Sequence, residues 1–461
     1  MISPRLSRMC SGSGLVTALT YFSLVSACVE KESLGQDSGG DMTGAEEDAS
    51  DSADEGGDGG GDGDGDGEAC AQWMTVLSSE ARTGINGVTT TEGDQVYLAG
   101  YIDGAFEGQE SAGLRDTVMG TYSASGEQQW VQQMGTEVHE DARDITIDSS
   151  GDFLITGYLD GEIPPGSVTV PYDGFITKTD ADGNTVWNRV FGTDGSEISN
   201  DVASTADGAV FVTGGTTGTF DGQVNSGGSD AFVVKYDSDG NMVWARQVGT
   251  AAYDDGYGVA TDGDGAVLLA GATDAAFDGQ VTSGGWDAVV VKLDASGEIL
   301  WTRQFGSSED DAARGVATDA AGNVFVAGWT SGAIDGIPNL GSRDGFLTKF
   351  DAAGTWQWTR LLSTESDESI NDLTTDDAGN IYVGGYTQGS LEGHSNAGER
   401  DVMIAKYDTD GVLQQTWQVG TEHADSGYDI TVGSNGHVYV GGDQFIPPTA
   451  RVGFLVHVCP S

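Results

Sequence analysis

The chain has 461 residues and a formal net charge of −54, with 73 acidic residues against 19 lysines and arginines. Nucleic acid and anionic membrane surfaces would repel a chain of this charge, so we expect neither as a partner. Glycine is abundant at 73 residues, proline is scarce at 8, and hydrophobic residues make up 38%. The apolar residues form short β-type runs after residue 69, so a sizeable core is available there.

The first residues are typical of a bacterial export signal. Two arginines precede the apolar stretch 14–25, which is too short to span a bilayer. Residues 24–28 read Leu-Val-Ser-Ala-Cys and resemble a lipobox, which implies cleavage before Cys28 and lipidation of its thiol. The alternative is an ordinary secretory signal that is cut near Ala27. The lipobox interpretation predicts an outer-membrane lipoprotein on the periplasmic or cell-surface side, with the lipid as its membrane contact.

An acidic linker is predicted to follow the lipid anchor. Its run GGDGGGDGDGDGE has no apolar residue, so it cannot bury itself and stays disordered, stretched by its own charge. Three of its aspartates mimic the start of an EF-hand loop, but Trp73 stands where that loop needs a bidentate glutamate. The predicted domains are therefore a signal peptide at 1–27, anchor and linker at 28–69, and one folded domain at 70–461.

A repeat of 57 residues organises the folded part. Tryptophan recurs at this spacing, and Gln415 takes the seventh place; the tryptophans are Trp73, Trp130, Trp187, Trp244, Trp301 and Trp358. The third unit shows four β-type runs separated by Gly/Asp turns, at 202–205, 209–214, 230–237 and 242–248. Seven four-stranded units predict an all-β chain folded as a seven-bladed β-propeller, since each unit needs neighbours to cover its faces.

The repeats also resemble a known family, the SBBP-type bacterial β-propeller repeat. Residues 322–328 and 379–385 carry its G-N-x-Y/F-V-x-G strand, and residues 230–237, DAFVVKYD, carry its D-A-F-V-x-K-Y-D strand. The resemblance implies an exported or surface-anchored propeller, and the family is mostly without a defined activity. Repeated glycine, aspartate and lysine positions are interpreted as structural, because each unit shares them.

Two cysteines at the ends of the repeats predict how the ring closes. The seventh unit has three strands before the chain stops, and residues 71–77 can supply the fourth. Cys70 and Cys459 then lie beside each other where other blades have a turn, so we expect a disulfide in an oxidising compartment. The alternative is two unpaired buried thiols.

Aromatic and histidine residues that break the repeat are the candidate binding residues. Loops that join strands two and three, and loops that join successive blades, should share one face, and both sets are acidic. Exposed aromatics beside acids suit sugar stacking or protein contact, although packing is the more common role of any one such residue. The candidates are Tyr253, Tyr257, Trp286, Trp329, Tyr386, His139, His394 and His423.

The acidic loops raise the hypothesis of weak calcium binding, at about 10⁻⁴–10⁻³ M as in extracellular sites. The alternative is turn chemistry on a solubilising surface, and no cofactor is required. The candidate ligands are Asp221, Asp278, Asp335, Asp254, Asp255, Asp310 and Asp311.

The sequence contains few motifs that would indicate catalysis. None of the five histidines falls in an H-x-x-x-H pattern, and neither a nucleophile elbow nor a phosphate loop occurs. Two facing acids could act as a glycosidase pair, but an acidic ring makes such pairs unavoidable. We therefore expect a monomeric, non-catalytic module that binds a protein or a glycan on the acidic loop face. The alternatives are a structural surface-display protein, or a carbohydrate-active hydrolase or lyase.

Overall fold

The computed structural model describes residues 72–77, 79, 81–160, 172–448 and 450–460. The predicted signal peptide, Cys28, the acidic linker and Cys70 lie outside these residues, and their assignments remain predictions. Among the described residues, no helix is long and apolar enough to cross a bilayer.

Seven antiparallel sheets of four strands each confirm the predicted seven-bladed propeller. Blades 1 to 3 comprise β2 (Arg82–Thr90), β3 (Val96–Asp103), β4 (Asp116–Tyr122), β5 (Gln128–Met134); β6 (His139–Ile147), β7 (Phe153–Asp160), β8 (Asp173–Thr179), β9 (Thr185–Phe191); β10 (Glu197–Ser204), β11 (Val210–Thr216), β12 (Asp230–Tyr236) and β13 (Met242–Val248). Blades 4 to 6 comprise β14 (Asp254–Thr261), β15 (Val267–Thr273), β16 (Asp287–Leu293), β17 (Ile299–Phe305); β18 (Asp311–Thr318), β19 (Val324–Thr330), β20 (Asp344–Phe350), β21 (Trp356–Leu362); β22 (Glu368–Thr375), β23 (Ile381–Thr387), β24 (Asp401–Tyr407) and β25 (Leu413–Val419). Blade 7 comprises β26 (Ala424–Val432), β27 (Val438–Ile446), β28 (Ala450–Val458) and β1 (Trp73–Val76).

The core lies between the blades. Every residue of β11 is buried, and so is nearly every residue of β12, because neighbouring blades cover both faces of a sheet. Phe232 and Val212 pack with Leu154 of the preceding blade in one such core. The first strands of successive blades contact each other, so these strands surround the centre of the ring.

The N-terminal strand completes the last blade, as the sequence predicted. β1 pairs antiparallel with β28, and Trp73 stands opposite His457. Cys459, just beyond β28, is held in a disulfide whose other cysteine lies outside the described residues. Its pairing with Cys70 therefore stays a prediction.

The repeated tryptophan joins one blade to the next. Trp187 Nε1 donates a hydrogen bond to the carbonyl of Ser238, 3.2 Å away in the turn of the next blade. Gly240 in that turn has φ 75°, and a Cβ there would lie 2.8 Å from the Trp187 ring. Trp73 makes the same bond to Ala124 of blade 1 at 3.3 Å, which joins the last blade to the first.

Each first strand contains a β-bulge near its start. β10 begins at Glu197, whereas the sequence pattern predicted a start at 202. The register slips between Ser199 and Asp201, so Asn200 has no partner on β11. The bulge interrupts the alternation of apolar and polar residues, and the polar segment before it therefore did not resemble a strand.

Candidate binding site at the channel mouth

The seven first strands enclose a central cavity of about 940 Å³. Its mouth is lined where the first strands bulge, where the second strands end and where the third strands begin. This volume lies within the range of about 300–1,000 Å³ found for ligand pockets. We call this opening the channel mouth.

Arginines divide into two groups in this propeller. Four occupy one repeated position on the fourth strands, and two of them show its role: Arg189 Nε donates to the carbonyl of Gly240 at 2.6 Å, and Arg360 Nε donates to that of Gly411 at 2.8 Å. Of the seven other described arginines, six line the central cavity and Arg400 lines an adjoining pocket that shares Arg451 with it, and we call all seven the mouth arginines. These are Arg82, Arg115, Arg143, Arg314, Arg343, Arg400 and Arg451.

Carboxylates neutralise the mouth arginines of blades 7, 1 and 2. Arg115 contacts Asp103 and Asp141, each at 2.6 Å, and Arg451 contacts Asp443 at 2.5 Å. Burial lowers the pKa of Arg115, but its hydrogen bond to Asp103 and the nearby carboxylate charges outweigh that effect and leave the pKa raised. These arginines are therefore held by the protein itself.

Three mouth arginines of blades 5 and 6 form no ion pair with any described carboxylate. We call Arg314, Arg343 and Arg400 the arginine crescent. Nε of Arg314 is buried without a hydrogen-bond partner among the described residues, whereas Arg400 donates one bond, to Ser426 Oγ at 3.2 Å. No described carboxylate therefore neutralises the positive charge of the crescent. Most of its N–H donors make no hydrogen bond to the described residues.

An aromatic ring lies beneath each arginine of the crescent. The guanidinium carbon is 4.1 Å from the ring centroid of Tyr257 for Arg314, 4.0 Å from that of Trp329 for Arg343, and 3.8 Å from that of Tyr386 for Arg400. Such stacking attracts a cation electrostatically and orients its planar group. The rings therefore position the crescent, and the crescent covers the rings.

The structure places the predicted aromatic candidates at three depths. Tyr257 and Trp286 pack around Trp329, which like Tyr386 is 9% exposed. Tyr253, on a blade-to-blade loop, is 55% exposed. Among the histidine candidates, His139 is the first residue of β6, His423 lies on a blade-to-blade loop, and His394 lies in the loop before β24 and bonds Thr416.

The predicted calcium ligands do not come together. Asp254 and Asp311 are buried, and each accepts a backbone N–H four residues earlier, from Thr250 and from Ser307, at 2.6 Å. Asp255 and Asp310 accept from Ser229 and Trp286, Asp335 accepts from Thr359, and Asp221 and Asp278 are exposed. Among the described residues, the metal-ligand atoms that converge in a group of three belong to His437, His457 and Cys459, and the sulfur of Cys459 is in a disulfide.

Four aspartates lie deeper in the channel, each directly after a bulge. Asp144 accepts from the N–H of Val202 at 3.1 Å, and Asp201 accepts from Val259 at 2.6 Å. Asp372 and Asp429 make the same link toward Ile430 and Val88. These bonds join the first strands of neighbouring blades.

Burial and neighbouring carboxylates raise the pKa of three of these aspartates, Asp201, Asp372 and Asp429. Burial acts first and raises the pKa of Asp372 to about 7, and that of Asp201 and Asp429 well above its usual range. Asp144 adds to the effect on all three through its charge. Neither these aspartates nor the crescent was predicted from the sequence. Setting aside the four repeated arginines and the two of the predicted signal would have left the mouth arginines.

Seven four-stranded blades around a lined channel define a β-propeller, the class in which comparison with known proteins also places the chain. Residues 300–334 and 357–392 match the family model described as SBBP, β-propeller repeat. The propeller thus contains repeats similar to the SBBP type in these two stretches, as the sequence resemblance implied.

Two curated proteins are similar over part of the chain. The regulatory protein FlaEY of Caulobacter vibrioides is 26% identical over 205 residues, which cover 40% of this chain and 21% of that protein. An uncharacterized WD repeat-containing protein, L264 of Acanthamoeba polyphaga mimivirus, is 26% identical over 203 residues, 36% of this chain and 15% of that protein. The chain therefore spans about a fifth or less of either relative.

Solved structures also align with most of this chain. The WD40 domain of Neurospora crassa Pan2 has a TM-score of 0.47 at 9% identity, and the match covers 82% of this chain and 90% of that one.

Proposed function

We propose that this protein is an exported, lipid-anchored, non-catalytic binding module that takes an anionic partner at the channel mouth. The arginine crescent is the observation that carries the proposal. A chain of net charge −54 places three arginines without a carboxylate partner beside one opening. Guanidinium groups donate hydrogen bonds and accept none, so a partner must bring acceptors and negative charge.

The proposed binding site is formed by the arginines and not by the acidic loops of the same face. Buried acids at the starts of first strands, such as Glu197 and Glu368, accept hydrogen bonds from Thr193 and Thr364 and stabilise the fold. The exposed acids remain on the rim, where they repel anions that approach elsewhere. Rim and crescent together direct a negatively charged group toward blades 5 and 6.

Export and anchoring rest on the lipobox alone. Cys28→Ala should move the protein from the detergent-extracted membrane fraction to the soluble fraction. Unchanged partitioning of the variant would remove the anchor from the proposal and leave the binding site standing.

Calorimetric titration with citrate tests binding at the mouth, since citrate carries carboxylates and little else. Arg343→Ala should weaken citrate binding about tenfold, the effect of losing a hydrogen-bonded charge pair. Arg246→Ala is the matched control, because Arg246 occupies the repeated position on β13, away from the channel. Equal affinities for wild type and both variants would contradict the proposal.

A further inference from the structure

We infer that the crescent recognises a short acidic polypeptide segment, an inference that rests on the proposed binding function and names its ligand class. Carboxylate groups match the planar fork of a guanidinium in two parallel hydrogen bonds. Arg314, Arg343 and Arg400 belong to adjacent blades, so a segment with several carboxylates can engage them together.

The covered rings argue against a sugar platform. A pyranose that stacks on an aromatic side chain needs an open ring face. Trp329 and Tyr386 are 9% exposed, and Arg343 and Arg400 lie over their faces at 4.0 Å and 3.8 Å. A sugar would have to displace the guanidinium to stack there.

The hydrogen-bonding groups of the crescent lead to the same conclusion. Sugar hydroxyls donate as well as accept, so they need acceptors on the protein. Two carboxylates on the adjoining blade-to-blade loops have partners already: Asp367 accepts from Ser342 Oγ at 2.6 Å, and Asp310 accepts from the N–H of Trp286 at 3.1 Å. A donor-rich site of this kind suits a ligand made mainly of acceptors.

The acidic rim limits the length of the ligand. Glu309, Glu365 and Glu422 are exposed on the blade-to-blade loops beside the mouth. A long polyanion that lies across the propeller would meet these charges and be repelled. The cavity of about 940 Å³ instead accommodates a compact segment that places its carboxylates inside the rim.

Fluorescence anisotropy with two labelled probes, a six-residue polyglutamate and a hexamer of galacturonate, tests the inference on the full chain. The peptide should bind about tenfold more tightly than the uronate, and Arg343→Ala and Arg400→Ala should each weaken it about tenfold. Arg246→Ala should bind as wild type does. Arg343→Lys, with a melting temperature for every variant, guards against misfolding; it keeps the charge and should weaken binding less than Arg343→Ala.

The remaining outcomes each overturn the inference. Galacturonate binding as tight as the peptide's, with the same dependence on Arg343, would replace the peptide by an acidic glycan and leave the proposed function intact. Absence of binding by both probes, with citrate still bound through Arg343, would show a small-anion site. Absence of binding by all three would remove the proposed function as well.

Discussion

The guanidinium of Arg343 lies 4.0 Å from the ring centroid of Trp329, and no described carboxylate forms an ion pair with it. The propeller fold does not demand this pair. Arg115 and Arg400 occupy the same place in their repeats, whereas Tyr172, Ser229 and Trp286 occupy it in the others between residues 115 and 400. The repeat does not require a charged side chain held flat over a ring here, and the proposed binding function accounts for it.

Trp329 should position Arg343 through its aromatic face. Trp329→Phe keeps a ring and should leave citrate affinity within about threefold, whereas Trp329→Leu removes the cation–π attraction, about 0.5–2 kcal/mol, and should weaken binding by about two- to thirtyfold. Calorimetric titration measures both. Because the indole is also packed in the core, melting temperatures accompany the titrations. Equal loss in the two variants would assign Trp329 a packing role alone.

Binding of anions at the crescent should depend on salt. The Debye length falls from about 30 Å at 0.01 M to about 8 Å at 0.15 M ionic strength, so the long-range attraction between citrate and the crescent is screened. We expect the citrate dissociation constant to rise steadily over this range, and the Arg343→Ala variant to show a shallower slope. An affinity that is independent of salt would indicate apolar contact and contradict electrostatic capture.

The buried aspartates predict a pH dependence of stability. The pKa of Asp372 is about 7 in the folded chain, against about 3.9 for an unfolded aspartate. Between these values the folded state retains a proton that the unfolded state has lost, so this group favours folding at acidic pH. That contribution is lost as pH rises toward 7.

Asp372→Asn removes the titration and keeps an oxygen that can accept from Ile430. The melting temperature of the variant should therefore fall less than that of wild type between about pH 5 and pH 8. Differential scanning calorimetry at both values measures this, with Asp221→Asn, an exposed loop position, as control. Parallel curves for wild type and Asp372→Asn would show that the carboxyl does not carry the dependence.

The sequence predicted the fold well because the 57-residue spacing of the repeat is visible in the sequence itself. The spacing of Trp187 and Trp244 defined the blade, and the incomplete seventh unit predicted that β1 would complete it. The start of β10 was missed because the bulge at Asn200 breaks the alternation on which strand assignment depends. The crescent was missed because Arg314 and Arg343 stand at different places in their repeat, and the channel brings them together only after the sheets form.

Alanine substitution at a turn glycine that contacts the next blade should destabilise the propeller. Gly240 has φ 75° and Gly279 has φ 78°, so alanine is strained at both. A Cβ at Gly240 would also meet the Trp187 ring at 2.8 Å, whereas at Gly279 nothing lies within 4 Å. Gly240→Ala should therefore lower the free energy of unfolding by about 1 kcal/mol or more beyond Gly279→Ala. Equal destabilisation in urea titrations would mean that the ring moves aside freely.

The central claim is that the arginine crescent, and not positive charge elsewhere on the propeller, binds the acidic segment. One paired titration tests this claim most directly. The six-residue polyglutamate is titrated into Arg314→Gln/Arg343→Gln/Arg400→Gln and into Arg189→Gln/Arg246→Gln/Arg360→Gln. Both triple variants lose the same charge, so a general electrostatic effect weakens both equally. Our account predicts that binding is abolished in the first variant and preserved in the second. Preserved binding in the first, or equal loss in both, would contradict it.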